Sequence, residues 1–282
     1  DLGWMYQNGE DVSQDDAEAV KWYRKAAEQG LAAAQSNLGM MVMEGKGVPQ
    51  DRAEALKWFR EAARQGHVVA YYNLGLAYSN GDGVPRDHAE AMRWFLKAAR
   101  SKDLVSQPEV GDYYQDRDYT PWPLSRPTGL AEQGLPAAQY HLGFMYDQGL
   151  GVEQDYTEAS IWYRKAAEQG YAEAQSSLAN MYRTGRGVSQ DISEALGWYH
   201  RAADQGDTLA QNHLGALYAL GKGVPKDLVR ACQWFTLSAA AGSESGVTNR
   251  RALMKRLSPE QIAESQRLVQ EWKEAHRYGG KK

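Results

Sequence analysis

Hydrophobic positions recur along this chain at helical spacing, in pairs of stripes separated by a glycine-rich turn. One such pair consists of Ala34, Leu38 and Val42, followed by Ala55, Trp58 and Ala62. Between the two stripes, Gly45 and Gly47 can take the positive φ that ends a helix. Asp51 then stands where a second helix begins, suited to cap that helix or to oppose its dipole. The pattern predicts a hairpin of two helices.

The hairpin pattern recurs at a fixed period. Six tryptophans lie 36, 36, 68, 36 and 36 residues apart, at Trp22, Trp58, Trp94, Trp162, Trp198 and Trp234. A period of this size indicates an array of one repeated supersecondary unit, stabilised by stacking of neighbouring units. We expect the indole to fill the gap between hairpins, so that Trp58→Ala costs about 3–5 kcal/mol of stability.

Each unit keeps further positions in the same order. A Leu-Gly pair with a tyrosine four residues after the leucine is followed by Gly-x-Gly-Val, Asp, Trp, Ala-Ala and Gly. In the first turn Asp11 replaces the second glycine, and Asp is among the few residues tolerated at positive φ. The combined pattern resembles the Sel-one-like repeat family, a relative of the tetratricopeptide repeats, over nearly the whole chain.

The resemblance implies an all-α fold, a right-handed α-α solenoid of helix-turn-helix repeats of 36 residues with a C-terminal capping helix. In such a solenoid each first helix lines a concave face. Proteins of this kind are mostly bacterial adaptors and binding proteins, and many are exported. The resemblance therefore indicates a periplasmic or secreted location, with the cytoplasm as the alternative.

The 68-residue gap is two periods minus four, which predicts a degenerate repeat inside it. Val110 and Gly111 stand 36 residues after Leu74 and Gly75, in register with the array. Three prolines between positions 121 and 127 exclude a normal second helix. We therefore assign residues 1–249 to one array of about seven repeats, with 110–141 degenerate and a proline-rich loop at 115–129.

Two interpretations of that loop remain open. Trp122 can plug the space left by the missing helix, as the remnant of a decayed repeat. Alternatively, Trp122 and Arg126 form a recognition element, because aromatic and arginine side chains on irregular segments are common binding anchors.

Residues 250–282 depart from the period, and we assign them to C-terminal capping helices and a tail. Ser258, Pro259 and Gln261 together predict a helix start, with serine as the cap and proline in the first turn. The helix that follows has one apolar stripe, made of Ile262, Leu268, Val269 and Trp272. This stripe predicts a helix that covers the last repeat, with an amphipathic partner-binding or membrane helix as the alternative.

Composition excludes several classes of function. The chain has 32 Lys and Arg against 36 Asp and Glu, a net charge of −4, so a nucleic-acid partner is not expected. The single cysteine, Cys232, excludes an intramolecular disulfide framework. No stretch approaches the roughly 18 apolar residues of a membrane-spanning helix, and we expect no membrane insertion.

Catalytic and metal motifs are missing from the sequence. None of the six histidines belongs to a metal-binding or catalytic motif, and His141 and His213 occupy a repeat position that elsewhere holds Asn or Ser. Asp112, Asp116 and Asp118 lack the spacing of a calcium loop. We therefore expect no enzyme activity, no metal and no small-molecule cofactor.

The expected binding surface is the concave groove, formed by first-helix residues outside the Leu-Gly-Tyr packing set. Its candidate residues are Trp4, Met40, Met43, Glu44, Tyr72, Leu76, Asp112, Asp116, Tyr140, Phe144, Asp147 and Arg183. Exposed apolar side chains there would mark an interface, unless a tight superhelix buries them against neighbouring first helices. The acidic members favour a partner with basic side chains.

The sequence thus predicts a non-enzymatic scaffold or adaptor that binds a protein or peptide partner in this groove, in the bacterial envelope. The alternative from the same resemblance is an immunity protein, which neutralises a secreted phospholipase-type toxin by occluding its active site.

Overall fold

The computed structural model of the chain describes residues 2–9, 11–101 and 135–277, which form fourteen α-helices and no strand. The helices are α1 Leu2–Asn8, α2 Asp16–Glu28, α3 Ala32–Glu44, α4 Arg52–Arg64, α5 Val68–Asn80, α6 His88–Arg100, α7 Pro136–Gln148, α8 Tyr156–Glu168, α9 Ala172–Thr184, α10 Ile192–Asp204, α11 Thr208–Leu220, α12 Leu228–Ala240, α13 Glu244–Met254 and α14 Pro259–Arg277. The predicted all-α class with hairpin repeats is confirmed.

The chain divides into two compact units, an N-terminal unit, Asp1–Asp155, and a C-terminal unit, Tyr156–Lys282. Within the N-terminal unit, α1 to α7 pack in chain order, each against the next. Within the C-terminal unit, α8 to α12 do the same, and α13 and α14 then pack on α12. Because each helix contacts its neighbours in sequence, stability is built from adjacent pairs rather than from a central core.

The glycine-rich turns have the conformation that the sequence predicts. Gly45 ends α3 with φ of 72° and Gly47 follows with φ of 66°, and Asp11 takes 59° in the first turn. The second glycine has an additional role, because a Cβ at Gly47 would lie 2.2 Å from the carbonyl oxygen of Asp16. Each hairpin turn can therefore approach the start of the preceding second helix only without a side chain.

The predicted aspartate caps are also present. The Asp51 carboxylate accepts a hydrogen bond from the backbone N–H of Glu54 at 2.9 Å, at the N-terminus of α4. The same arrangement recurs at Asp15, Asp87, Asp191 and Asp227. These caps satisfy backbone donors that a helix cannot pair internally.

The most buried ring of the N-terminal hairpins is the residue after the tryptophan, so Trp58 packs at the edge of the core and not at its centre, whereas Trp162, Trp198 and Trp234 are buried as predicted. Phe59 is 1% exposed, whereas Trp58 is only partly buried. The Phe59 ring lies against the glycine of the Leu-Gly pair, since a Cβ on Gly39 would be 2.7 Å from a ring carbon. Equivalent pairs are Gly3 with Tyr23, Gly75 with Phe95 and Gly215 with Phe235. A side chain at Gly39 would require this ring to shift, and in the hairpin of α9 and α10 the equivalent place holds Ala179, with the Tyr199 ring still buried.

Helix α7 follows α6 directly in the stack. The Gln139 side chain donates to the Ala99 carbonyl at 3.5 Å, as Gln35 does to Ala27 at 3.1 Å in the second hairpin. The first pair is separated by 40 residues and the second by 8, so the chain between α6 and α7 contains 40 − 8 = 32 additional residues. The 68-residue spacing therefore also equals one period of 36 plus an insertion of 32.

A chain without residues 101–132 tests this stacking. Joining Arg100 to Gln133 recreates the Ala-Ala-Arg-Gln-Gly sequence of residues 62–66 and restores the period of 36. We expect this chain to keep its helicity and a melting temperature within about 4 °C of the parent, the shift that about 1 kcal/mol produces at this size. Circular dichroism measures both quantities.

The matched control removes residues 65–96, also 32 residues, and leaves the remaining hairpins four residues out of register. That control should melt far below the parent. If both shortened chains lose helicity equally, α7 does not stack on α6 in the way described.

The last helices close the C-terminal unit, as predicted. Helix α14 packs against α12, and the Gln233 amide donates to the Leu268 carbonyl at 3.1 Å. At its start the Ser258 hydroxyl accepts from the Gln261 N–H at 3.3 Å, while the Ser258 N–H donates to the Gln261 side chain at 3.0 Å. This reciprocal pair is a capping box, and it fixes where α14 begins.

Candidate functional site

Four apolar side chains occupy equivalent places on the first helices of the N-terminal unit. Trp4, Met40, Leu76 and Phe144 each stand two residues after the leucine of the Leu-Gly pair, on α1, α3, α5 and α7. At about 100° per residue this position is about 200° from that leucine, on the opposite side of the helix, and the leucine is buried at Leu38, Leu74 and Leu142. Phe144 is 39% exposed, and the other three are partly exposed. We call these four residues the first-helix row.

Helices α5 and α7 are neighbouring first helices, since the Tyr72 hydroxyl of α5 lies 3.2 Å from Nε2 of His141 on α7. Trp4 and Met40 also rest on the buried core of their own hairpins, together with Met43. Trp4 and Met40 are therefore supported by the core, while part of each side chain stays exposed. Such rigid apolar groups lose little conformational entropy on binding, a property of good interface anchors.

Tyr72 does not belong to the exposed surface, so the exposure expected for it is wrong. It is 3% exposed, and its hydroxyl lies 3.2 Å from Nε2 of His141 on α7. Asn212 and Asn249 make the corresponding contact between α11 and α13, at 2.9 Å. The residue two positions before the leucine thus packs between neighbouring first helices, which explains its burial. Tyr140 holds this position on α7 and remains partly exposed.

Charges on these four first helices are few and of one sign. The helices contain no Lys or Arg, and their carboxylates are Glu44 and Asp147. The Glu44 side chain is 16% exposed and lies 3.4 Å from the Lys46 ammonium in the following turn. The Asp147 carboxylate accepts from the Gln148 amide at 3.0 Å. The surface around the first-helix row is thus apolar, with one carboxylate at the C-terminal end of α3 and one at the C-terminal end of α7.

Four candidates lie outside the described residues: Asp112, Asp116, Trp122 and Arg126. Their roles stay predictions.

Arg183 lies in the C-terminal unit, on α9, in a different environment from the rest of the candidate set. Its guanidinium donates to Asn180 at 2.6 Å. Nearby, Tyr199 of α10 stacks at a tilt on His213 of α11, with ring centroids 5.1 Å apart. The sequence identified His213 only as a variant of a repeat position and did not indicate Tyr199. The period gives no information on contacts among α9, α10 and α11, where these residues meet.

Buried histidines are the other polar feature of the array. Burial lowers the pKa of His67 and of His141 from 6.5 to about 4, and it also lowers the pKa of His200 and His213. A histidine held neutral in this way is a poor proton acceptor at neutral pH. In the described residues no three His, Cys, Asp or Glu side chains are grouped to hold a metal ion, and no helix has the length and apolarity to cross a membrane.

The model of the Sel1 repeat matches six segments of the chain, residues 1–31, 32–67, 68–103, 136–171, 172–207 and 208–243. The missing match between 103 and 136 coincides with the insertion between α6 and α7. No curated protein matched the chain.

Solved structures of the same architecture are similar to this chain. A Sel1 repeat protein from Oxalobacter formigenes is 30% identical, covers 98% of both chains and has a TM-score of 0.74. A protective antigen of uropathogenic Escherichia coli strains with an SLR fold is 28% identical, with coverage of 100% of this chain and 86% of that one and a TM-score of 0.36. An immunity protein from Pseudomonas aeruginosa is 19% identical, with coverage of 86% and 83% and a TM-score of 0.50.

Proposed function

The chain belongs to the Sel1 repeat family, and from this premise we propose that it binds a protein partner on the first-helix row of its N-terminal unit. Sel1 repeats are generally non-catalytic scaffolds for protein interactions. The observation that supports this surface is the first-helix row itself: Trp4, Met40, Leu76 and Phe144 at one position of successive hairpins, with Phe144 39% exposed. Aligned apolar anchors of this kind suit a helix or an extended segment of a partner.

The charges beside the row define the partner further. The four first helices lack cations and have the two carboxylates Glu44 and Asp147, so a partner with apolar anchors and basic side chains is complementary to them. A secreted toxin neutralised by this chain would be one partner of that kind. The immunity protein from Pseudomonas aeruginosa shares the fold at 19% identity, which by itself favours no toxin over another partner.

Site-specific crosslinking tests the surface even while the partner is unidentified. A photoreactive phenylalanine analogue at Phe144 should capture a protein in the cells that naturally produce this chain. The matched control places the analogue at Leu31, a 55% exposed apolar residue in a turn between hairpins. Capture at both positions alike, or at Leu31 alone, would argue against the row as the binding surface.

The captured partner then allows a quantitative check. Phe144→Ala is expected to weaken its binding at least 10-fold, about 1.4 kcal/mol, because truncated aromatic anchors at interfaces cost that much or more. The melting temperature should stay the same, since the Phe144 ring is 39% exposed. Leu31→Ala should change the affinity less than 2-fold. Equal affinities for the parent and Phe144→Ala would contradict the proposal.

A further inference from the structure

Arg183 is a partly buried cation without a carboxylate partner in the described residues. Its hydrogen bond there goes to the Asn180 side chain at 2.6 Å, and its Nε–H is enclosed without an acceptor. An arginine has five N–H donors, and the Asn180 side chain and the nearby Tyr199 hydroxyl can take only part of them. Taking a charge out of water without a counter-ion costs free energy, which makes this arrangement one that needs an explanation.

The groups packed around Arg183 are neutral rings that cannot balance its charge. The Tyr199 side chain is fully buried, and its hydroxyl makes no hydrogen bond of normal geometry within the described part of the chain. Burial raises the Tyr199 pKa to about 12, although the adjacent guanidinium opposes that rise. His213 packs on the Tyr199 ring, and its pKa is lowered first by burial and then by the positive charge of Arg183.

The carboxylate in this part of the unit is already engaged. Asp207 caps α11, where it accepts from the Ala210 N–H at 2.6 Å and from the Ser176 hydroxyl. Burial raises its pKa, and the guanidinium of Arg183 is not among the groups that influence it. Asp207 therefore does not neutralise Arg183, and the part of the chain that the structure describes supplies no other carboxylate to it.

We propose that Arg183 binds a carboxylate of the protein partner, from an aspartate or glutamate side chain, at the seam between α9 and α11. Because Nε is enclosed and Nη2 already donates to Asn180, the ligand would bind to the remaining N–H groups of the two Nη atoms, which can pair with the oxygens of a carboxylate. At the equivalent α11 positions the chain has Ala216 and Ala219, where α7 has Phe144 and Asp147.

This inference deepens the proposed function, because the carboxylate would come from the same protein partner. The other outcomes are an arginine with a purely structural role and a site for phosphate. All three can be separated with small probes on the full-length chain, without the partner.

The probes are N-acetyl-aspartate N-methylamide, which has a single carboxylate, and the uncharged N-acetyl-asparagine N-methylamide, and their binding is followed by NMR of the Arg183 Nε–H and the His213 ring. We expect saturable shifts with the aspartate derivative and none with the asparagine derivative. The bound carboxylate should also raise the His213 pKa, because it offsets the positive charge that lowers it. A structural arginine would not respond to either probe, and that result would overturn the proposal.

Variants locate the response at this residue. Arg183→Gln should weaken probe binding at least 10-fold, and Arg183→Lys should retain part of it. Arg201→Gln is the matched control, since Arg201 stacks on Trp198 in the same unit with its guanidinium carbon 4.5 Å from the ring centroid. Unchanged binding in Arg183→Gln, or tighter binding of inorganic phosphate than of the carboxylate, would refute the assignment. Neither result affects the row in the N-terminal unit, whose crosslinking test is independent.

Discussion

Phe59→Ala is expected to lower the free energy of unfolding by about 3–5 kcal/mol, the usual cost of truncating a fully buried phenylalanine. The ring is 1% exposed and lies in the space above Gly39, where the backbone of α3 comes closest to α4. The cavity left by alanine cannot be filled by Gly39, which has no side chain. Urea denaturation followed by circular dichroism measures the loss.

Trp58→Ala is the matched control one position earlier. Its indole is partly buried and donates to the Glu54 carboxylate at 3.1 Å. Truncation removes less apolar contact and a hydrogen bond at the surface, so a loss of about 1–2 kcal/mol is expected. A larger loss in Trp58→Ala than in Phe59→Ala would show that the indole, and not the phenylalanine ring, is the centre of this hairpin.

The sequence determines the local structure of the hairpins to a large extent. Positive φ at Gly45 and Asp11, the cap at Asp51 and the capping box at Ser258 all depend on residues within a few positions of one another. Their chemistry permits few alternatives, and the period repeats the information several times. Helix type, boundaries and turn conformation could therefore be predicted.

Contacts between hairpins were harder to predict, because they depend on which segments become neighbours. From the sequence, Tyr72 is expected to be an exposed binding residue. Its burial becomes evident only when His141, 69 residues later, is placed against it. That placement requires α7 to stack on α6 across an insertion, whereas the period alone also permitted a degenerate repeat. Arg183 is a comparable case, since its environment comes from α10 and α11 as well as from its own helix.

The choice of Trp58 over Phe59 as the central ring of its hairpin failed for a different reason, although Trp162, Trp198 and Trp234 are buried. Trp58 and Phe59 are adjacent, and both recur with the period, so spacing could not separate them. The deciding fact is the glycine opposite, which leaves a flat gap above α3 that the phenylalanine ring fills. The Leu-Gly pair was recognised as a marker of the repeat, but its glycine was not connected to a ring in the next helix.

Acidification from pH 7 to pH 4 is expected to destabilise the chain strongly, because His67 and His141 are buried as neutral rings. His67 is 5% exposed with its Nδ1 unpaired, and His141 stacks on Phe95 with ring centroids 4.9 Å apart. Burial lowers both pKa values from 6.5 to about 4. Each shift of that size corresponds to roughly 3 kcal/mol.

The direction follows from proton binding in the two states. Below pH 6.5 the unfolded chain protonates both histidines, while the folded chain keeps them neutral until about pH 4. The unfolded state therefore binds more protons in this window, and stability falls as the pH falls. The full contribution of these two neutral histidines to stability is present above pH 6.5. The lowered pKa of Glu54 acts in the same direction only below 4.5, and the raised pKa of Asp207 acts in the opposite direction.

Substitutions taken from the other repeats measure how much of the pH dependence of stability comes from these two histidines and how much from other groups. Leu31 and Leu135 occupy the place of His67, and Asn73 occupies the place of His141, so His67→Leu and His141→Asn fit the array. Each should remove roughly 3 kcal/mol from the loss between pH 7 and pH 4, as measured by urea denaturation at each pH. If both variants lose as much stability as the parent, the folded protein protonates these rings near pH 6.5, and their burial must then be relieved by an opening of the seam between α5 and α7.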